Sequence, residues 1–163
     1  MILEGFSHEI ATPEVDDGKS GCHGFYFQLD DNVGVKIRNW GSFESQEQLA
    51  ASGVWKSALK ELENLKAAYP SGVSPKPFGV GAVFYQSKWW AGIYMEHIVG
   101  ERLELSSAAN YDWQGDTVFN ILRAKLLNCG VVHWDLGSHN IIVQLVEGRI
   151  DKATAIDFTT IDG

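Results

Sequence analysis

The stretch Gly130–Val143, GVVHWDLGSHNIIV, sets His133, Asp135 and Asn140 in the spacing H-x-D-L-x-x-x-N between two apolar runs. Those runs, Val131-Val132 before and Ile141-Ile142-Val143 after, have the β-branched composition of short strands. The residues between them are therefore expected to form a loop that places a carboxylate and an amide. Seventeen residues beyond Asn140 a second apolar run, ATAIDF, carries Asp157. With a turn at Glu147-Gly148-Arg149, a hairpin would return Asp157 beside Asn140.

Upstream of this stretch, Val118, Ile121, Leu122, Leu126 and Leu127 recur at helical spacing. Asp112 or Thr117 is the expected cap at the start of that helix, and Gly130 suits its C-terminal end. Further back, PKPFGVGAVF and KWWAGIYMEHIVGERL read as two strands, the second leaving into a connector in which Gly100 frees a turn. Ser45 to Ala68 reads as one helix from Leu49, Val54, Ala58, Leu62, Leu65 and Ala68, closed by Tyr69-Pro70 and Ser71-Gly72. Asp30-Asp31-Asn32 is a turn, and VGVKI after it alternates as a strand, so Lys36 lies on a strand paired with the aromatic run GFYFQL. Before that run, Ser20-Gly21-Cys22-His23-Gly24 is either an ordinary hairpin turn or a loop whose bare backbone N–H groups approach a phosphate. Residues 1–19, with Pro13 and Asp16-Asp17-Gly18, suggest a short strand and a turn.

The chain has 163 residues, 45 % hydrophobic and 12 % aromatic, the composition of a packed globular protein. Its net charge of −8 argues against general affinity for nucleic acid or anionic membranes, which need clustered Lys and Arg. The N-terminal MILEGFSHEI lacks a basic run before an apolar one and does not read as a signal peptide. No window approaches the roughly 18 to 20 apolar residues of a membrane span. Cys22 and Cys129 match no metal pattern and fit a reducing, cytoplasmic setting.

The H-x-D-L-x-x-x-N spacing resembles the catalytic loop of the protein-kinase-like superfamily, and the run before Asp157 resembles the strand leading to that superfamily's metal-binding Asp-Phe-Gly element. The resemblance covers residues 10–162 and implies an α+β, two-lobed fold. It places an N-lobe of sheet plus helix at residues 1–97 and a strongly reduced C-lobe at 98–163. It further implies an ATP-dependent phosphotransferase acting on a hydroxyl of a protein or small molecule, with ATP and Mg²⁺ in a cleft between the lobes. Within it, Asp135 orients the acceptor hydroxyl, Asn140 and Asp157 are the metal ligands, and Lys36 grips the phosphates. Either Glu61 or Glu63 steadies Lys36, with Glu61 preferred by helix phase. Gly21 and Gly24 match part of a glycine-rich phosphate loop, and the backbone of Glu96 and Ile98 would meet an adenine edge. His133 takes a structural place near the metal-binding element.

Departures from the pattern shape the expectations. Trp134 stands where many protein kinases have arginine, and Gly137 where Ser/Thr protein kinases keep a lysine. In this the loop is closer to aminoglycoside, choline and lipopolysaccharide-sugar kinases. Thr159 replaces the glycine of Asp-Phe-Gly, and no substrate-binding helical platform is expected after Asp157. The alternative expectation is therefore a nucleotide-binding or protein-interaction module without turnover, resembling pseudokinases. Apolar surface left uncovered by a reduced C-lobe leads us to expect a homodimer or a protein partner.

Overall fold

The computed structural model describes residues 7–9, 19–21, 24–38, 41–106, 112–158 and 161–162, with side chains over 25–37, 41–106 and 117–158. The chain is mixed α+β and forms two compact units, residues 1–62 with 77–97 and residues 63–76 with 98–163.

The first unit is built on a six-stranded sheet. Its strands are β1 (Ser7–Glu9), β2 (Lys19–Gly21), β3 (Gly24–Gln28), β4 (Val33–Arg38), β5 (Pro77–Tyr85) and β6 (Lys88–Glu96), in the order β1-β5-β6-β4-β3-β2. All neighbours are antiparallel except β1 and β5. The turn from β3 to β4 forms where expected: the Asp30 carboxylate accepts the N–H groups of Asn32 and Val33, both at 2.7 Å. Between β5 and β6, Gln86 and Ser87 both take positive φ, 50° and 62°, giving the tight turn that follows strand twist.

Two helices lie where one was expected. The shorter, α1 (Gln46–Ala50), is capped by Ser45, whose hydroxyl accepts the Gln48 N–H. The longer, α2, runs Gly53–Ala68. Ser52 separates them: its hydroxyl donates to the Leu49 carbonyl at 2.6 Å and accepts the Trp55 N–H at 3.2 Å. A serine bonded locally to backbone competes with the continuing helical ladder, so it ends one helix and caps the next.

Sheet and helices sort apolar residues onto both faces. Leu49, Trp55, Ala58 and Leu62 from the helices pack on Val80, Ala82, Ala91 and Ile93. On the opposite face Phe27, Val35, Ile37, Val83, Tyr85 and Tyr94 form a second core. Burial of each of the Leu, Ile, Val and Phe side chains contributes about 1.5–3 kcal/mol against chain entropy, and of each alanine less.

In the second unit α3 (Asp112–Asn128) faces two small β-structures. One has the order β10-β9-β7, from β7 (Glu101–Arg102), β9 (Ile141–Val146) and β10 (Arg149–Ala155); the other pairs β8 (Val132–His133) with β11 (Ile161–Asp162). Thr117 lies inside α3 rather than at its start. Leu122 and Leu126 are buried, whereas Ile121 and Leu127, expected on the apolar face, are about half exposed. Gly130 closes the helix as expected: at φ 73° it lets its own N–H reach the Leu127 carbonyl and the Val131 N–H reach that of Leu126. Gly100 is required by proximity, since a Cβ there would lie 2.5 Å from the Val143 carbonyl oxygen. Among the described residues no helix is long and apolar enough to cross a membrane.

Candidate functional site

Each unit carries part of the expected residue set. In the first, strand alternation puts Gly34 and Lys36 on one face of β4, and pairing sets Lys36 opposite Tyr26 on β3 and Ile93 on β6. Lys36 Nζ meets Glu61 Oε1 of α2 at 2.7 Å, with the lysine side chain 14 % and the glutamate 3 % exposed. Helix geometry sets Glu61 and Glu63 about 200° apart around α2, so only one can face the sheet. The inward residue is Glu61; Glu63 is exposed and pairs with Lys66 at 3.3 Å. A buried carboxylate is costly unless paired, so Glu61 ties the lysine to one place.

Gly21 and Gly24 face one another as the closing pair of the β2–β3 hairpin, and Cys22 and His23 between them lie outside the described residues. Glu96 is the last residue of β6, and Ile98 follows in the connector. Between them the His97 N–H donates to the Asn32 carbonyl at 2.8 Å, fastening the strand end to the β3–β4 turn.

The second unit holds His133, Asp135, Asn140 and Asp157 on one short segment and the hairpin after it. A 3-10 turn, Ser138–Asn140, lifts the chain from the loop into β9. The Asn140 side chain is buried and its Nδ2 donates twice to Asp135, to the carbonyl at 3.0 Å and to carboxylate Oδ2 at 3.1 Å. Two acceptors on that side fix the amide orientation and leave Oδ1, the atom a hard cation would take, facing elsewhere. His133 is pinned at both nitrogens: the Asp135 N–H donates to Nδ1 at 3.2 Å, and Nε2 reaches the Ile156 carbonyl at 3.0 Å. Such a pattern makes Nδ1 the acceptor and Nε2 the protonated nitrogen. Its ring also packs edge-on against buried Phe158, 4.9 Å between centroids. The Phe158 carbonyl in turn accepts Asn64 Nδ2 at 2.8 Å. With both nitrogens and its ring occupied, His133 holds the loop against the segment that carries Asp157.

The hairpin returns as expected. Glu147 and Gly148 make its turn at φ 51° and 77°, and the Ile156 N–H donates to the Asn140 carbonyl at 2.9 Å. The next residue, Asp157, has φ 60°, a left-handed conformation that Asp tolerates better than most residues. Local strain of this kind clusters where side-chain direction matters more than backbone comfort. Among the described residues no group of three or more His, Cys, Asp or Glu forms a self-contained metal site. Asn140 and Asp157 suit Mg²⁺, which normally takes few protein ligands and draws the rest from phosphate and water.

One neighbour of this set escaped the sequence reading. His139 Nε2 lies 3.3 Å from Asp135 Oδ1, both side chains about half exposed, and its ring lies so close to Gly137 that a Cβ there would be 2.8 Å from Cε1. The separation of four residues from Asp135 was its only signal, and it is a helical spacing inside a segment read as loop. No protein-family model matches the chain, and no curated protein matches it.

Proposed function

We propose that the chain is an ATP-dependent phosphotransferase of protein-kinase-like organisation, transferring the γ-phosphate of Mg-ATP to a hydroxyl. The observation that carries this reading is the Asp135–Asn140 clasp with Asp157 following directly on the backbone bond from Ile156 to Asn140. The clasp presents a carboxylate and an amide oxygen from one turn, and the hairpin adds a second carboxylate. When bound, Mg²⁺ would neutralise charge on the transferring phosphoryl group, held by Asn140 Oδ1 and the Asp157 carboxylate. Lys36, held by Glu61, binds phosphate oxygens, while backbone groups of Glu96 and Ile98 and of the Gly21–Gly24 hairpin receive the base and phosphates. Asp135 accepts the hydrogen bond of the acceptor hydroxyl and aims its oxygen. The new bond joins that oxygen to the γ-phosphorus, the bond to the β,γ-bridging oxygen breaks, and the proton passes to Asp135.

Positioning of this kind supplies several powers of ten in rate without covalent help. Asp135→Asn, which keeps shape and removes the base, is expected to lower turnover at least about a hundredfold while leaving nucleotide affinity near its starting value. Unchanged turnover of every phosphorylation activity in that variant would overturn the assignment.

A second reading, nucleotide binding without turnover, has its own observation. Both carboxylate oxygens of Asp135 already have partners, Oδ2 with Asn140 and Oδ1 with His139. If that arrangement persists with nucleotide bound, an acceptor hydroxyl must share an Asp135 oxygen with Asn140 or His139, which weakens Asp135 as a base. His139→Ala separates the two readings, since release of Oδ1 would then raise a low turnover.

A further inference from the structure

Tyr26 stands on β3 directly opposite Lys36, on the face of the sheet that also carries Gly34. Its side chain does not rise away from that face. The phenol runs across Gly34, where an added Cβ would fall 1.8 Å from the hydroxyl oxygen and 2.3 Å from the ring carbon bearing it. From there the hydroxyl pairs with His97 Nδ1 at 2.8 Å, and the two rings lie 23° from parallel with centroids 5.9 Å apart. Glycine at position 34 is thus explained by the tyrosine: any side chain would evict the ring.

What else would use that path follows from the register. Gly34 is paired with Met95 and Val33 with Glu96, so a line over the sheet from Lys36 toward the end of β6 passes over Gly34. A nucleotide with phosphates at Lys36 and base edge at the backbone beside Glu96 needs the same bare, flat stretch. The phenol ring is itself a flat aromatic group with one polar atom at its far edge, bonded to the residue that follows Glu96. It has the shape and polarity of a small base already in place.

We propose that Tyr26 is an internal occupant of the base-binding slot, latched to His97, and that an incoming nucleobase must displace it. This inference rests on the nucleotide reading above and adds a gate to it. The latch is weak enough to open: one neutral hydrogen bond is worth roughly threefold to tenfold in an equilibrium constant. Tyr26 is only partly buried, so the ring can leave the slot. Opening costs affinity in proportion to how seldom the slot is empty.

Calorimetric titration of Mg-ATP into the wild-type chain, Tyr26→Phe and Tyr26→Ala tests the gate, together with the ring-nitrogen NMR signals of His97 in the wild type. The expected result is a dissociation constant lower by roughly threefold to tenfold in Tyr26→Phe, which loses the bond but keeps the ring, and by at least that factor in Tyr26→Ala, which loses both. In the wild type, ATP is expected to shift His97 Nδ1 toward the value it has in Tyr26→Phe. Mg-ATP binding that is unchanged or weaker in Tyr26→Ala, with the His97 signal unmoved by ATP, would overturn the latch and leave the nucleotide site standing. Absence of ATP binding in all three proteins would remove both the site and its gate. Should Tyr26→Ala fail to fold, Tyr26→Phe with the His97 signal decides between these outcomes.

Discussion

Lys36 and Glu61 illustrate how a single pair is expected to behave. Glu61 is almost wholly buried, so removing its cation leaves a carboxylate in poor surroundings, whereas neutralising both members removes the problem. We expect Lys36→Met to destabilise the chain by about 2–4 kcal/mol and the double variant Lys36→Met with Glu61→Gln by less than the sum of the singles, a coupling above about 1 kcal/mol in urea titrations. Additive effects would mean that the pair is incidental. Gly137→Ala is expected to push the His139 ring from Asp135 at small cost, under about 1 kcal/mol, because the group that must move is the end of an exposed side chain. Changed chemical shifts of the His139 ring would register the displacement. Tyr26 carries a pH signature: burial pushes its hydroxyl up to about 12. Because the folded chain keeps that proton where the unfolded chain has lost it, stability is expected to fall as pH rises above about 10. Tyr26→Phe should blunt that fall in denaturation curves, while an equal fall would show that other groups cause it. Tyr94, whose hydroxyl burial also raises, remains in the variant, so the fall is reduced rather than abolished.

Among elements, the sheet of the first unit is the most exacting. At Gly92 an added Cβ would lie 2.6 Å from a Val83 methyl and 2.8 Å from a Val35 methyl, both stiff β-branched side chains in the core. Gly92→Ala is expected to cost about 1–3 kcal/mol by overpacking, measured as a lower urea midpoint at unchanged slope. Most strands and turns of this unit were legible in the sequence because their signals are local: the Asp30 turn, the alternation of VGVKI and the apolar runs within 75–84 and 88–103; β2 was not, since Ser20 and Gly21 read as part of a glycine turn. The break between α1 and α2 was not legible either: the five-residue step from Leu49 to Val54 is one irregularity in an otherwise helical series, and the deciding group is one serine hydroxyl bonded to backbone on both sides. In α3 the rhythm misled in another way. Ile121 and Leu127 have the right spacing, but neighbouring elements cover only Leu122 and Leu126. Of the candidate site, the 133–140 loop and Asp157 were readable from spacing. The inward glutamate needed helix phase, His139 hid in a turn, and no sequence rule joins Tyr26 to His97, 71 residues away.

At the scale of the molecule, seven of the nine large apolar residues exposed among those described lie in the second unit, among them Val99, Leu105, Trp134 and Val146. Where such residues adjoin in one patch they favour association with a second copy or a protein partner; scattered singly they need none. Light scattering over a concentration series is expected to show a mass approaching twice that of the chain; a constant monomer mass would contradict this. The central claim, a metal-dependent nucleotide site that uses Asp157, is tested most directly by calorimetric titration of ATP with and without Mg²⁺ into the wild type and Asp157→Asn. Asparagine tolerates the left-handed backbone at φ 60° and keeps the side-chain shape, so the variant changes charge rather than fold. The expected result is binding that requires Mg²⁺ and weakens at least about tenfold in Asp157→Asn. Binding indifferent to both the metal and the substitution, or no binding at all, would contradict the claim.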